Sequence, residues 1–529
     1  MNEAGSMRGA VNLGRLLSDS ARRLPDRPAL IWGERQWTWA ETDGRVNALV
    51  AALKARGIGK GERILVLAKN SNQLFESMFA AFKLGAVWVP CNSRLTAPEI
   101  AYLAQSSGAV VMIADQGFAG HVAHCRSEAP AIRLCVTIGE DALPESERFE
   151  DLVEEGRGAE AWEAEVSPGD PCWFFYTSGT TGRPKAGVLT HDQMGFVVVN
   201  HLADLMPDTH SGQASLVVAP LSHGAGAHIL PQVARGVVSV LTASPSFDEE
   251  ECWQLIERYG VANLFTVPTI ITRLCRHPAV DRYDHSSLKY VIYAGAPMYR
   301  ADQKHCLEKL GKVLVQYYGL GEVTGNITVL PPDQHDLDDA AMRVGSCGYP
   351  RTGMEIAIQD GEGRRLASGE QGEICVRGPA VFAGYHENPE ANAKSLKDGW
   401  FHTGDLGRLD EAGFLYITGR ASDMYISGGS NVYPREAEEV LLTHADVAEV
   451  AVLGVPDPKW GESGVGVVVL EAGAVAKEAD LLSFLDGKLA KYKRPQRLFF
   501  WEALPKSGYG KVPKHLILQT LRDKGLLET

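Results

Sequence analysis

Short apolar runs alternate with amphipathic segments along most of this chain, and the alternation predicts an α/β protein with largely parallel sheets. Residues 64–67 (ILVL) read as a buried strand. After them Leu74, Phe75, Met78, Phe79 and Phe82 share one helical face, with Asn72 as its cap and Gly85 as its stop. Residues 87–89 and 110–113 are further strands, and the acidic stretch 141–165 reads as a loop with a short helix. The strand series continues at 216–219, 237–241, 262–267, 290–293 and 313–315, each run followed by a polar or glycine-rich turn. In α/β sheets such turns at strand C-termini line ligand crevices. From about Met354 the pattern turns toward β, at 355–358, 372–376 and 413–417. Beyond Arg420 strands (447–454, 465–470) mix with helices (434–444, 478–489), which places a domain boundary near Arg420 and divides the chain into 1–420 and 421–529.

Length and charge narrow the picture. A chain of 529 residues exceeds one compact core, so at least two domains are expected. A formal net charge of −14 argues against non-specific binding of nucleic acid or of an anionic membrane surface. An anionic substrate such as ATP then needs a local positive site or a metal. The nine cysteines are scattered with no C-x-x-C pair, which points to reduced thiols and a cytoplasmic location, not to a disulfide scaffold or a zinc site. No run is long and apolar enough for a transmembrane helix, and the first ten residues lack the apolar core of a secretory signal.

The chemistry centres on residues 176–191, YTSGTTGRPKAGVLTH, entered from the apolar run 172–176. Hydroxyl residues Thr177, Ser178, Thr180 and Thr181 interleave with Gly179 and Gly182, and Lys185 adds a fixed positive charge. Such a stretch packs poorly as helix or strand; its free backbone, N–H and O–H groups suit a polyphosphate cradle. It is not a Walker A loop, because Arg183-Pro184-Lys185 stands where G-K-[ST] is required.

Other strand ends carry further groups. His223 is followed by small residues from Gly224 and Ala225 to Ala227, which suits a pocket wall. The stretch from Gly295 and Ala296 to Pro297 offers backbone against a flat ring. Tyr318 and Glu322 supply an aromatic face and a carboxylate that, with phosphates, can hold Mg²⁺. Asp405 sits in a turn where it can accept from two ribose hydroxyls. Then follow Arg420, the loop Ser427, Gly428 and Gly429, and a second glycine-flanked lysine, Lys511.

In this order the motifs resemble the adenylate-forming superfamily of acyl-CoA synthetases, peptide-synthetase adenylation domains and luciferases, over nearly the whole chain from about Leu16 to Leu518. The likeness is greatest to the acyl-CoA synthetases. The resemblance implies a large N-terminal domain of two β/α subdomains plus a distorted β-barrel, with a small mobile α+β C-terminal domain. It implies that a carboxylate attacks the α-phosphate of ATP to give acyl-AMP, and that the thiol of coenzyme A then displaces AMP. By the same resemblance Thr177, Ser178, Gly179, Thr180, Thr181, Gly182 and Lys185 cradle the β- and γ-phosphates, and Glu322 holds Mg²⁺. Tyr318 stacks on adenine beside Gly295, Ala296 and Pro297, while Asp405 and Arg420 bind the ribose. Lys511 bridges carboxylate and α-phosphate, and Ser427, Gly428 and Gly429 let the pantetheine arm pass. His223, Gly224, Ala225 and Gly325 border the acyl pocket, and Ser422 occupies the hinge.

Three positions depart from the pattern. Gly321 replaces the usual threonine before the glutamate, a loss on the order of 1 kcal/mol for one neutral hydrogen bond. Thr324 lies close in sequence and is a candidate substitute. Ser422 stands where aspartate or lysine is common, and Ala186 where glycine is usual. The sequence favours an acyl-CoA synthetase for a medium-chain fatty or aryl acid, because residues 224–227 and Gly325 leave the pocket free of bulk and no lysine or arginine but Arg300 competes for a role there. With no carrier domain after residue 529 and no condensation domain before the chain, free CoA is the expected acceptor. Rival readings are a stand-alone enzyme loading a carrier protein, a luciferase-like oxygenase, and a non-catalytic acyl or nucleotide sensor. A homodimer is compatible with all of them.

Overall fold

The helix Asn72–Leu84 shows how local signals set the first layer. Gly85 ends it in the left-handed region at φ 64°, as its sequence position predicts. The N-cap, however, is Ser71 and not Asn72: the extended Ser71 offers its Oγ to the Leu74 N–H at 3.1 Å. Asn72 is already helical, and its amide donates to Glu76 at 3.0 Å.

The computed structural model describes residues 10–177, 183–244, 246–296, 298–420, 423–427, 430–506 and 512–527. Helix Asn72–Leu84 packs on a seven-stranded sheet of order Glu147–Arg148, Leu134–Ile138, Val111–Asp115, Arg63–Leu67, Val87–Pro90, Pro171–Thr177, Lys185–Thr190. All pairs are parallel except the last. The nine-stranded sheet runs Tyr349–Pro350, Thr328–Leu330, Leu314–Tyr318, Tyr290–Tyr293, Val261–Thr266, Ala214–Val217, Val238–Leu241, Pro28–Trp32, Arg35–Thr38. Its centre is parallel, and each expected strand overlaps one of its members, although the run 216–219 leaves the strand after Val217 and others differ at their ends. Its last hairpin, from the start of the chain, gives no comparable signal in the sequence: Pro28–Trp32 is too short to separate from a helix segment, and only pairing with Val238–Leu241 decides it.

The expected barrel region is a five-stranded antiparallel sheet built on Glu355–Gln359, Gly372–Arg377, Trp400–Leu409, Leu396–Lys397 and Leu415–Arg420. A fourth sheet begins at Tyr425–Ser427 and is centred on the long pair Val447–Asp457 and Gly461–Leu470. Two helices here are shorter than the periodicity predicts. Pro434–Leu441 stops before His444, where Thr443 Oγ1 donates to the Val440 carbonyl at 2.7 Å. Glu478–Phe484 stops before Gly487, which lies at φ 73°. The fold is thus a large α/β N-terminal domain followed by a small C-terminal one. Among the described residues no helix is long and apolar enough to cross a membrane.

Candidate functional site

The hairpin that carries the hydroxyl-rich motif is strand at both ends. Pro171–Thr177 and Lys185–Thr190 pair antiparallel, with Thr177 directly opposite Lys185. This corrects the expectation that residues 176–191 avoid regular structure: Val188, Leu189 and Thr190 fit a pleated surface and extend the sheet. Ser178, Gly179, Thr180, Thr181 and Gly182 lie outside the described residues.

The end of Leu314–Tyr318 leads into a short turn, Gly321–Val323, that presents Glu322, only 5% exposed. Glu322 Oε1 accepts from Thr177 Oγ1 at 2.9 Å and from the Tyr385 hydroxyl at 2.9 Å. Tyr385 belongs to a segment laid against the hairpin: it bridges to Gly187, and Lys185 Nζ stands 5.5 Å over its ring. Burial, and then the Glu322 carboxylate, push the Tyr385 phenol up, so it remains a donor at neutral pH. An ammonium, a carboxylate and two hydroxyls therefore meet here. Oxygen donors of this kind suit a hard cation, and Lys185 suits an anion.

A second carboxylate, Asp405, is also 5% exposed. It lies opposite Arg420 in the antiparallel pairing, and its Oδ1 is 2.9 Å from Arg420 Nε. Its Oδ2 accepts from the Tyr318 hydroxyl at 2.6 Å. Burial and the Asp405 charge hold the Tyr318 phenol well above its ordinary value, while Asp405 raises Arg420 further. Asp405 lies within the strand Trp400–Leu409 and not in the turn expected of it, because its backbone pairs with Arg420; Gly404 before it is at φ 73°, and Glu373 braces it. Glu373 Oε1 accepts from the Gly404 N–H at 3.0 Å and Oε2 pairs with His402 Nδ1 at 2.9 Å. Beside them Cys375 is fully buried, its thiol pushed up to about 12 by burial. Gly295 and Ala296 are exposed just past Tyr290–Tyr293, the strand adjacent to the one ending in Tyr318. Pro297 lies outside the described residues.

The small residues expected to leave an open pocket are packed against rings. A Cβ on Gly224 would come within 2.9 Å of the Phe265 ring, and one on Gly325, at φ 77°, within 2.5 Å of the Tyr317 ring. The missing side chains thus admit aromatic neighbours and do not by themselves create free volume. Ala225, Phe265 and His228 border a cavity of about 20 Å³, room for about one water. His228 stacks on Phe265 at 4.0 Å and meets the Tyr317 hydroxyl at 3.1 Å. His223 lies 4.7 Å from the Phe175 ring. Arg300 is engaged with Asp339, Gln303 and the Asp336 carbonyl, away from these groups. Thr324 does not replace a threonine at 321: it sits at φ 49°, and its Oγ1 accepts from Gln193 Nε2 at 3.2 Å.

Ser427, 7% exposed, pairs with Ser430 and with Gly461 in the fourth sheet. Ser422, Gly428, Gly429 and Lys511 lie outside the described residues. The structure thus joins Thr177, Lys185 and Glu322 in one cluster and Tyr318, Asp405 and Arg420 in another. Sequence reasoning passed over Tyr385, Glu373 and Phe175. The only signal for the first two is a polar side chain in a β-rich stretch, and Phe175 reads as core.

Comparison with known proteins bears on the family and the fold. A family model described as AMP-binding enzyme matches residues 17–386, and one described as AMP-binding enzyme C-terminal domain matches residues 436–511. A feruloyl-CoA synthase of Amycolatopsis sp is 36% identical over 497 residues, covering 93% of this chain and 96% of that protein. A fatty acid–acyl-carrier-protein ligase of Streptomyces coeruleorubidus is 34% identical over 518 residues, covering 95% and 94%. Among solved structures, an anthranilate CoA ligase in complex with anthranoyl-AMP superposes with a TM-score of 0.89 at 25% identity, covering 99% of this chain and 100% of that one.

Proposed function

We propose, from the premise that this chain belongs to the AMP-binding enzyme family, that it activates a medium-chain fatty acid or an aryl acid with ATP and delivers the acyl group to coenzyme A. The family is one of acid–thiol ligases, and ATP and CoA fit it as substrates. The observation that supports the ATP-dependent step is the pair of clusters built around the turn Gly321–Val323. Thr177, Lys185, Tyr385 and Glu322 form a cation-and-hydroxyl end suited to phosphates. Tyr318, Asp405 and Arg420 form a ring-and-carboxylate end suited to a nucleoside.

In this reading a carboxylate oxygen of the acid attacks the α-phosphorus and the bond to pyrophosphate breaks. The CoA sulfur then attacks the acyl carbon, and the bond to AMP breaks. Thr177 and Lys185, with Ser178, Gly179, Thr180, Thr181 and Gly182, hold the outer phosphates. Glu322 would hold Mg²⁺, an ion that neutralises phosphate charge when bound; the carboxylate and its hydroxyl partners Thr177 and Tyr385 are oxygen donors that fit it. Tyr318 packs on adenine along Gly295, Ala296 and Pro297, and Asp405 and Arg420 take the ribose hydroxyls. His223 borders the acid. The C-terminal domain, 421–529, turns about Ser422 to bring Lys511 for the first step and Ser427, Gly428 and Gly429 for the second. Nine buried cysteines without a disulfide fit a cytoplasmic enzyme.

The aryl substrates in the names of two relatives support an aryl acid here, and the carrier-protein acceptor of the third motivates a second reading, loading of a carrier protein. Acid-dependent pyrophosphate–ATP exchange across an acid panel, followed by thioester formation with free CoA or with a pantetheinylated carrier, separates the two. Exchange and CoA thioester are expected. Transfer to carrier alone would replace the first reading with the second, and no exchange with any acid would end both. Lys511→Ala should abolish most adenylation but spare thioester formation from supplied acyl-AMP; equal loss in both half-reactions would contradict the domain rotation.

A further inference from the structure

We propose that Phe175 sets the acid specificity of this site: its ring takes the space that a side chain at position 321 would need and bounds the carboxyl end of the acid with an apolar surface, selecting a planar aryl or α,β-unsaturated acid. The proposal rests on the acid-activating reading above and names its substrate class.

Trp173, Phe175 and Thr177 share one face of Pro171–Thr177, because side chains alternate along a strand. Thr177 is the residue bonded to Glu322. Phe175, one step back on the same face, is 9% exposed and fixed on three sides. Its ring lies 4.7 Å from that of His223 with the planes at 32°, and 5.9 Å from that of Trp173. On the third side is Gly321, where a Cβ would fall 2.6 Å from Phe175 Cδ1 and Cε1 and 2.9 Å from Thr177 Cγ2. Gly321 is not among the positive-φ glycines, so the backbone tolerates any residue there. The demand for glycine is one of space, set first by Phe175 and then by the Thr177 methyl.

The exchange of a hydroxyl for a ring changes what the site can recognise. A threonine at 321 would offer a hydrogen bond beside the Glu322 carboxylate. Phe175 offers carbon, next to an imidazole ring tilted by 32° to it. An acid with a polar group beside its carboxylate would lose water against the Phe175 ring, which offers it no hydrogen bond. A flat, apolar carboxyl end packs against such rings with an added contribution from ring–ring contact. Phe175 thus touches both ends of the predicted site, the Glu322 turn on one side and the His223 wall on the other.

Four proteins test this: the wild type, Gly321→Thr, Phe175→Val and the double variant, each assayed for pyrophosphate release with cinnamate, benzoate, octanoate and 2-hydroxyoctanoate. Gly321→Thr should lose about 10- to 100-fold in kcat/KM on every acid, the effect of overpacking. The double variant should regain at least about tenfold of that loss, since the ring that collides is gone. In Phe175→Val the ratio of kcat/KM for cinnamate over octanoate should fall about tenfold, with KM for ATP within about threefold of wild type. A double variant no better than Gly321→Thr, or acid ratios unchanged in Phe175→Val, would overturn the proposal while leaving the ligase reading intact. A wild type that activates no acid would overturn the ligase reading and this one together. Melting curves of all four proteins guard against misfolding: a double variant that melts above Gly321→Thr shows the steric coupling independently of activity, and one that melts no higher refutes it.

Discussion

Glu322 and Asp405 are buried to the same extent, 5% exposed each, yet they are satisfied in different ways. Glu322 accepts from two neutral hydroxyls, those of Thr177 and Tyr385. Asp405 accepts from one hydroxyl, that of Tyr318, and faces the Arg420 guanidinium. A hydroxyl supplies a dipole where a guanidinium supplies a full charge, so the two carboxylates carry different residual demands. Arg420 feels Glu322 too, but Asp405 is its leading influence. Glu322 is left with a charge that a cation would neutralise, which is why it is the residue proposed for Mg²⁺. Asp405 is already neutralised, so taking a diol there is an exchange of partners in which Tyr318 or Arg420 yields its place. One acid is built to gain a partner, the other to trade one.

Removing one charge at a time breaks this contrast. Glu322→Gln keeps the shape and the hydroxyl contacts, and acid-dependent pyrophosphate–ATP exchange should fall by about 100- to 1,000-fold, as for loss of a major electrostatic contact to the transition state. A fall below about tenfold, with an unchanged magnesium titration, would erase the distinction between the two acids. Asp405→Asn should cost about 10- to 100-fold in kcat/KM for ATP, expressed mainly in KM, because a charge-assisted bond to a ground-state hydroxyl is lost. A loss confined to kcat would instead place Asp405 in the chemistry. Tyr385→Phe removes one of the two hydroxyls on Glu322, and a roughly 3- to 10-fold loss is expected, with a higher magnesium concentration at half-saturation. An unchanged titration would show that Tyr385 only supports the segment it stands on.

The smallest effect on rate should come from mild acidification, which acts on stability through histidines outside both clusters. Burial pushes His191 and His335 down to about 4, and His201 and His228 well below their ordinary value. His191 Nδ1 accepts from the Leu13 N–H at 3.3 Å, beside Asp170 and Lys60. The unfolded chain takes up these protons near pH 6.5 and the folded chain refuses them until about pH 4. Their contribution is therefore complete above about pH 6.5 and is lost as the pH falls toward 4. A thermal midpoint lowered by roughly a few degrees between pH 7.5 and 5.5 is expected. A flat midpoint, or a Glu322→Gln variant with a much steeper pH response than wild type, would move the sensitivity back into the site.

The sequence made the central strands and the charged groups of both clusters legible, since buried parallel strands and polar motifs at their ends leave strong local signals. Thr177, Lys185, Glu322, Tyr318, Asp405 and Arg420 were all readable in this way. What the sequence hid depends on register between distant segments. Thr177 and Glu322 are 145 positions apart, and Tyr385 and Glu322 are 63. Neither separation carries a period that could reveal contact. Glu373 looks like any polar strand residue until Gly404 and His402 are seen to bond to it. Gly224 and Gly325 misled in the opposite direction: absent side chains read as space, but Phe265 and Tyr317 had moved into it.

The antiparallel pairing of Thr177 with Lys185 has a consequence for anyone who would re-engineer this protein. The arms of the hairpin, Pro171–Thr177 and Lys185–Thr190, have no freedom of length. One residue added to Lys185–Thr190 would turn every side chain before it to the opposite face, and Lys185 would leave the side where Thr177 meets Glu322. Libraries built on this hairpin should therefore never vary the count of residues within its arms.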